Sequence, residues 1–263
     1  MFKKPFSNLG LIIPSFAGLL IFFIVPFFYS FYYAFIDNAF SRNFVGISNF
    51  IDLFNNDYFM LALRNTLLFT FCAVILIMAL SITISVAVTQ LFRRLTLIES
   101  AFFLPFLLPS ATIISIWNAY FSNFSPFSSL VCLFLWKYCG LNIVLLITAL
   151  SHLNFDMFEA ARIDGAGAIR RTFYITLPNI MPNIFFTLLI SIANAFKISR
   201  ESFLLYGDYP DRSIYMLQNY LNNHFKKLNY QNISTAAIIF SIIIYTIIGL
   251  IFFFERKWGD KIW

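Results

Sequence analysis

Three carboxylates, Asp156, Glu159 and Asp164, fall within nine residues of the stretch NFDMFEAARIDGAGAIRRTFYITLP, which runs from Asn154 to Pro178. A membrane enzyme would use such a cluster for proton transfer near an interface. Two of the three have a plainer explanation. Asp156 followed three residues later by Glu159 reads as a helix N-cap with a reciprocal partner, the capping-box arrangement with Asp in place of Ser or Thr. A short helix is therefore expected to start at Asp156, to be favoured by Ala160, Ala161, Arg162 and Ile163, and to end where Gly165 takes a left-handed conformation. A second short helix is expected through Ile169 to Phe173, stopping before Pro178. Phe158, Ala161 and Ile163 lie close to one face of the first helix, which suits either a groove on another protein or a bed of lipid headgroups.

Elsewhere the reactive residues are scattered. Cys72, Cys132 and Cys139 are odd in number and sit in apolar runs, so they read as free thiols that pack as small apolar groups. His152 and His224 stand alone, and no metal-ligand spacing is present. A phosphate loop of the form G-x-x-x-x-G-K-[ST] is missing, since neither Lys-Ser nor Lys-Thr follows Gly165 and Gly167. The chain therefore has no ATPase site of its own, and any ATP-driven role needs a partner. Lys137 is the one charge in the block 100–155. An intramembrane cation could line a cavity and meet a hydroxyl or an anion, snorkel to the surface, or pair structurally.

The elements that carry these residues follow from composition. The 263 residues are 60% hydrophobic and only 11% charged, against roughly 45–50% and about 25% in a soluble domain. A globular chain of this size could not hide that much apolar surface, which excludes a soluble single-domain enzyme. Runs free of Asp, Glu, Lys and Arg cover 5–36, 65–92, 100–136, 138–155, 172–196 and 228–254. Crossing the hydrocarbon takes roughly 20 helical residues. The expected fold is an all-α membrane protein, one transmembrane domain over 1–263, with six helices near 11–36, 65–91, 100–121, 129–152, 178–198 and 234–254. The cluster Ser122 to Ser129 marks the turn between the third and fourth. The first run is too long for a signal-peptide core of roughly 7–15 residues, and nothing alternates as a membrane β-barrel strand would.

Six spans put both termini on one side. That side collects Lys3, Lys4, Arg93, Arg94, Arg162, Arg170, Arg171, Arg256, Lys257 and Lys261; the other has Arg42, Arg64, Lys197, Arg200, Arg212, Lys226 and Lys227. The excess assigns the termini, and 153–177, to the cytoplasm.

Glu159-Ala160-Ala161, three residues, Gly165, nine residues, Ile175, one residue and Leu177-Pro178 resemble the EAA signature of permease subunits of binding-protein-dependent ABC importers. The surroundings are similar to the sugar-type permeases (maltose and glycerol-3-phosphate): Pro14 to Ser30 in span one, Asn65-Thr66, Leu104-Pro105, Trp136-Lys137, Arg200-Glu201 through Tyr209-Pro210, and Ser234-Thr235-Ala236-Ala237 opening span six. The resemblance covers roughly residues 8–258. It implies a multi-pass subunit of a prokaryotic cytoplasmic membrane that pairs with a second, related permease subunit and two cytoplasmic ATP-binding subunits, while an extracytoplasmic solute-binding protein delivers the solute. ATP and Mg would be used by the ATPase, with no cofactor bound by this chain, and no nucleic acid is involved.

The resemblance also implies site residues. Glu159, Ala160, Ala161, Asp164, Gly165, Ile175, Leu177 and Pro178 would couple to the ATPase. By similarity to the maltose-type permease, the solute-facing positions would be Phe106, Ser110, Phe134, Lys137, Tyr138, Ser191, Asn194, Ala195 and Ile198, although Ser191 and Asn194 read equally as helix-to-helix hydrogen bonds. The connection between spans three and four is shorter than in relatives, which leaves 197–233 as the expected docking element for the binding protein. The solute is expected to be a carbohydrate or sugar derivative. The alternatives are an ABC permease for an amino acid or ion and an ion-driven secondary transporter; the latter needs midplane acids, and Glu99 is the only acid expected near a span.

Overall fold

A computed structural model describes residues 9–38, 40–91, 96–121 and 123–262. The Lys3, Lys4, Arg93 and Arg94 charges and the Ser122 turn residue lie outside the described residues. The chain divides into two compact units, Met1–Met60 with Tyr220–Ile244, and Leu61–Asn219 with Tyr245–Trp263.

The first unit begins with a span made of α1 (Leu9–Leu19), a π-helical turn (Leu20–Ile24) and α2 (Val25–Tyr33). The widened turn has a local cause. Pro26 has no N–H to give to Phe22, and its ring would collide with that carbonyl. The Val25 N–H reaches instead to the Leu20 oxygen, five residues back. After Tyr33 comes a loop in which Ile36 and Phe44 pair as an isolated antiparallel bridge, and then a short helix, α3 (Ser48–Phe54). The Ser41 hydroxyl, bonded to Asp37 at 2.5 Å, holds that carboxyl below its usual range. The next helix, α4 (Asp57–Leu91), starts in this unit and continues into the second.

The second unit holds most of the remaining helices. α5 (Thr96–Leu107) and α6 (Ser110–Phe121) occupy the place expected for one straight span at 100–121. They are bent by 96° across Leu108 and Pro109. Pro109 cannot donate to a preceding turn, and it drives Leu108 out of the helical region. Its carbonyl restarts the helix by accepting from the N–H groups of Thr112 and Ile113. α7 (Pro126–Ser151) begins three residues before the expected 129, because the Ser125 side chain caps it and Pro126 fits the first turn. α8 (Phe155–Ile163), α9 (Ala168–Arg171), a second π turn (Thr172–Thr176) and α10 (Leu177–Asn179) lead to α11 (Met181–Lys197) and α12 (Ser199–Tyr206).

α13 (Leu217–Lys226) and α14 (Tyr230–Ile262) each run across the unit boundary. Among the described residues five helices are long and apolar enough to cross a membrane: Ile13–Tyr33, Asp57–Thr89, Pro126–Ser151, Met181–Tyr206 and Tyr230–Lys257. The bent pair makes a sixth if it is one broken span. α4 starts before the expected limit at 65 and α14 runs past that at 254, because a charge ends the stretch that suits hydrocarbon without ending the helix.

The core of the second unit gathers Phe69, Ile77, Ile113, Leu133, Phe134 and Ile198 from α4, α6, α7 and the junction of α11 with α12. One glycine sets how closely α5 and α7 approach. A Cβ on Gly140 would stand 1.7 Å from the Phe102 carbonyl oxygen. Cys72, Cys132 and Cys139 are free thiols, each half-buried.

Candidate functional site

The acidic segment folds as a helix, a turn and a second helix, with two corrections to the sequence reading. Asn154, and not Asp156, is the N-cap: its side chain accepts from the Asp156 N–H at 3.1 Å. Asn caps as well as Asp, and starting earlier puts Asp156 in the first turn, where its charge suits the helix dipole. Glu159 then lies beyond the position from which a side chain could reach back to the cap, and it is exposed. The second correction concerns the apolar face. Phe158 and Ala161 are half-buried, whereas Ile163, five residues from Phe158, is 86% exposed on another side.

The turn is as expected. Gly165 has φ +77°, a region costly for any residue with a Cβ. The Ala166 N–H bonds the Ala161 oxygen at 2.9 Å and the Gly165 N–H bonds Arg162 at 3.2 Å, the two bonds of a Schellman ending. Asp164 and Ala160 are exposed beside it.

Beyond the turn the chain does not stop before Pro178. It widens, as at Pro26, with the Leu177 N–H bonded to Thr172, and stays helical to Asn179. Leu177 packs against the small core of Leu146, Leu150 and Ile180, so this segment is joined to α7 and α11. Ile175 and Pro178 are half-buried alongside. Just past the turn, Gly167, Ala168, Ile169, Arg170, Phe173 and Tyr174 line a wide-mouthed hollow of about 950 Å³.

The candidate solute-facing residues all fall in the second unit, and several meet. Phe106 lies 6.0 Å edge-on to the Tyr138 ring, and Phe134 lies 5.2 Å from it. Ala195 and Ile198 belong to the same apolar core. Lys137 is buried and does not snorkel. It forms an ion pair with Glu201 and donates to the Ser110 hydroxyl at 3.2 Å; that hydroxyl in turn donates to Glu201 at 2.8 Å. Ser110 opens α6 immediately after the 96° break, so the three residues join α6, α7 and α12.

Ser191 faces α7. It accepts from Asn142 at 2.7 Å and donates to the Thr187 oxygen at 2.8 Å, which is the helix-to-helix reading. Asn194 is buried nearby on α11.

Glu201 enters the sequence reading only through the family resemblance and not as the partner of Lys137, and Asn142 is not singled out there. Glu201, only 1% exposed, is an acid buried against a span, so Glu99 is not the only one. A buried lysine demands a counter-ion, and that demand was the available signal; nothing in the sequence said which acid would meet it. Asn142 lies in a charge-free run and gave no signal beyond its amide.

The architecture is that of a polytopic helical membrane component with a buried polar centre and an exposed helix-turn-helix between two of its spans. The chain belongs to the family of binding-protein-dependent transport system inner membrane components, whose sequence model matches residues 90–260. It is 28% identical over 225 residues to the sn-glycerol-3-phosphate transport system permease protein UgpA of Pectobacterium atrosepticum, covering 74% of this chain and 75% of that one. It is also 28% identical over 235 residues to the arabinooligosaccharides transport system permease protein AraP of Bacillus subtilis, covering 80% and 75%. Its fold matches a chain in the crystal structure of a bacterial ABC transporter involved in import of the acidic polysaccharide alginate, with TM-score 0.81 over 94% of each chain at 18% identity. The chain is thus a multi-pass inner-membrane permease component.

Proposed function

We propose that the chain is the permease subunit of an ATP-driven importer for a carbohydrate or sugar derivative. Relatives whose names refer to glycerol-3-phosphate and arabinooligosaccharides support the solute class. It would work beside a second, related permease subunit, with two ATP-binding subunits on the cytoplasmic side and a solute-binding protein on the other. The termini and 153–177 then face the cytoplasm.

The observation that carries the mechanism is the exposed α8–α9 segment, ended by a Schellman turn and joined through Leu177 to the core between α7 and α11. An ATPase gripping α8 at Glu159, Ala160 and Asp164 would move a rigid element, and that movement would be passed to α7 and α11. Those helices carry Lys137, Tyr138, Ser191 and Asn194, so closure of the nucleotide sites would reshape the solute path.

The test is purification of the chain from its membrane in mild detergent, followed by identification of the associated subunits. An ATP-binding subunit is expected. Gly165→Val provides the second arm: the chain should still reach the membrane, while transport falls and ATP hydrolysis loses its dependence on the binding protein. Normal transport in that variant would remove the coupling role from this turn.

A further inference from the structure

The segment between the first two spans is polar in its construction and apolar in what it presents. Asp37 Oδ1 accepts from the backbone of Asn38 and Asn43, its Oδ2 accepts from the Ser41 hydroxyl, and Asn49 Nδ2 donates to the carbonyls of Ala34 and Ile36, both at 2.9 Å. Ala34, Ile36 and Leu53 are buried inside. Phe35 packs against Phe44 and Phe50. This well-built scaffold nevertheless turns Phe40 outward at 97% exposure and Phe44 at 78%. On α3 and its N-cap, Ile47, Ile51 and Phe54 are also exposed, and their i, i+4, i+7 spacing makes them one stripe. Phe44 and Phe54 each touch one ring, Phe35 and Phe59, and still leave half or more of their surface open.

We infer that this apolar surface is seated in the boundary between headgroups and acyl chains of the bilayer. The segment is tied to the membrane at both ends, because Tyr33 closes one span and Asp57 opens the next. Ile36 is three residues past Tyr33, at most about 10 Å from that span end at full extension, and Asn49 near the start of α3 donates to the Ala34 and Ile36 carbonyls, which holds α3 close to the same level. Phe44 is paired with Ile36 and returns to the same level. The headgroup layer is itself about 5–8 Å deep on each side of the hydrocarbon, which leaves these side chains within or beside it.

Charge agrees with that setting. Between 34 and 56 the chain carries only Asp37, Arg42 and Asp52, and the Asp37 carboxylate is bonded within the loop itself, so little charge competes with the apolar side chains for the interface. Tyr29, Tyr32 and Tyr58 are exposed at the same two span ends, where aromatic residues with a polar tip mark the interface. The surface is continuous with the lipid-facing spans, and the lipid is its occupant. This inference rests on the membrane assignment alone and is independent of the solute or the orientation.

The test uses the whole transporter complex, with Cys72, Cys132 and Cys139 replaced by Ala, reconstituted in phosphatidylethanolamine and phosphatidylglycerol vesicles. Nitroxide labels are placed one at a time by Phe40→Cys, Ile51→Cys, Phe54→Cys and, as the polar reference, Asp52→Cys. Collision rates are read with oxygen, which concentrates in lipid, and with a neutral nickel chelate, which stays in water. The oxygen-to-nickel ratio at 40, 51 and 54 should exceed that at 52 several-fold. Nickel collisions as frequent at 51 and 54 as at 52 would place the stripe in water. Few collisions with either probe would mean a protein cover. Either result overturns the inference.

Discussion

Two polar contacts sit five residues apart on α7 and are built on different terms. At Lys137 the contact is charged and three-cornered, with Glu201 from α12 and the Ser110 hydroxyl at the start of α6. At Asn142 it is neutral and simple, an amide donating to Ser191 on α11. Both side chains are buried, Lys137 at 7% and Asn142 at 0% exposure. The difference lies in what happens when one partner is lost. A buried ion without its counter-charge is costly by several kcal/mol, whereas interhelical hydrogen bonds in membranes contribute on average only about 0.6 kcal/mol. The charged contact therefore ties the start of α6, where the broken span resumes, to α7 and α12, and the neutral one adjusts the fit of two continuous helices.

The sharpest way to break this comparison is Glu201→Leu. It leaves Lys137 buried without its partner and should destabilise the chain by about 3–5 kcal/mol, read as thermal stability in detergent. Adding Lys137→Met should recover most of the loss, because the pair is then replaced by apolar groups. A single variant as stable as the parent would mean that the ion pair contributes nothing to the fold.

Gly140 lies between the two contacts on the same helix and separates packing from polarity. Gly140→Ala puts a methyl 1.7 Å from the Phe102 oxygen, so α5 must move off α7 at a cost of about 1–3 kcal/mol. Gly249→Ala, with no neighbour within 4 Å of the added carbon, is the control and should change little. Equal stability of the two variants would show that α5 and α7 do not approach this closely in the membrane.

The smallest effect is expected at the neutral contact. Ser191→Ala removes the acceptor from Asn142 and should cost about 0.6–1.7 kcal/mol, clearly less than Glu201→Leu under the same assay. A loss as large as that of the charged pair would erase the distinction drawn here.

Three prolines show why the spans were readable in outline and not in detail. Pro26, Pro109 and Pro178 each remove a backbone donor from an apolar run. At Pro26 and Pro178 the helix absorbs the loss by widening to a five-residue bond. At Pro109 it breaks and restarts at 96°. The residue type is the same in all three, so the proline by itself does not decide between a widened turn and a break. At the Pro109 break, the Ser110 side chain is held by Glu201 and Lys137. The helix cap one residue pair away from its expected place is a smaller case of the same kind, since Asn154 and Asp156 are equally good caps and local sequence does not rank them.

By itself the sequence determined the solvent and the period of this protein. Runs of about 20 residues or more without charge dictate membrane helices, because the hydrocarbon tolerates no unsatisfied backbone. Gly165 dictated its own left-handed turn, because that property is local to one residue. Only the tertiary structure decided that Lys137 meets Glu201, that Asn142 meets Ser191, and that Gly140 must lack a side chain. Those partners are 64, 49 and 38 positions apart in the chain, and their meeting is set by how whole helices pack, which no local pattern of residue types encodes.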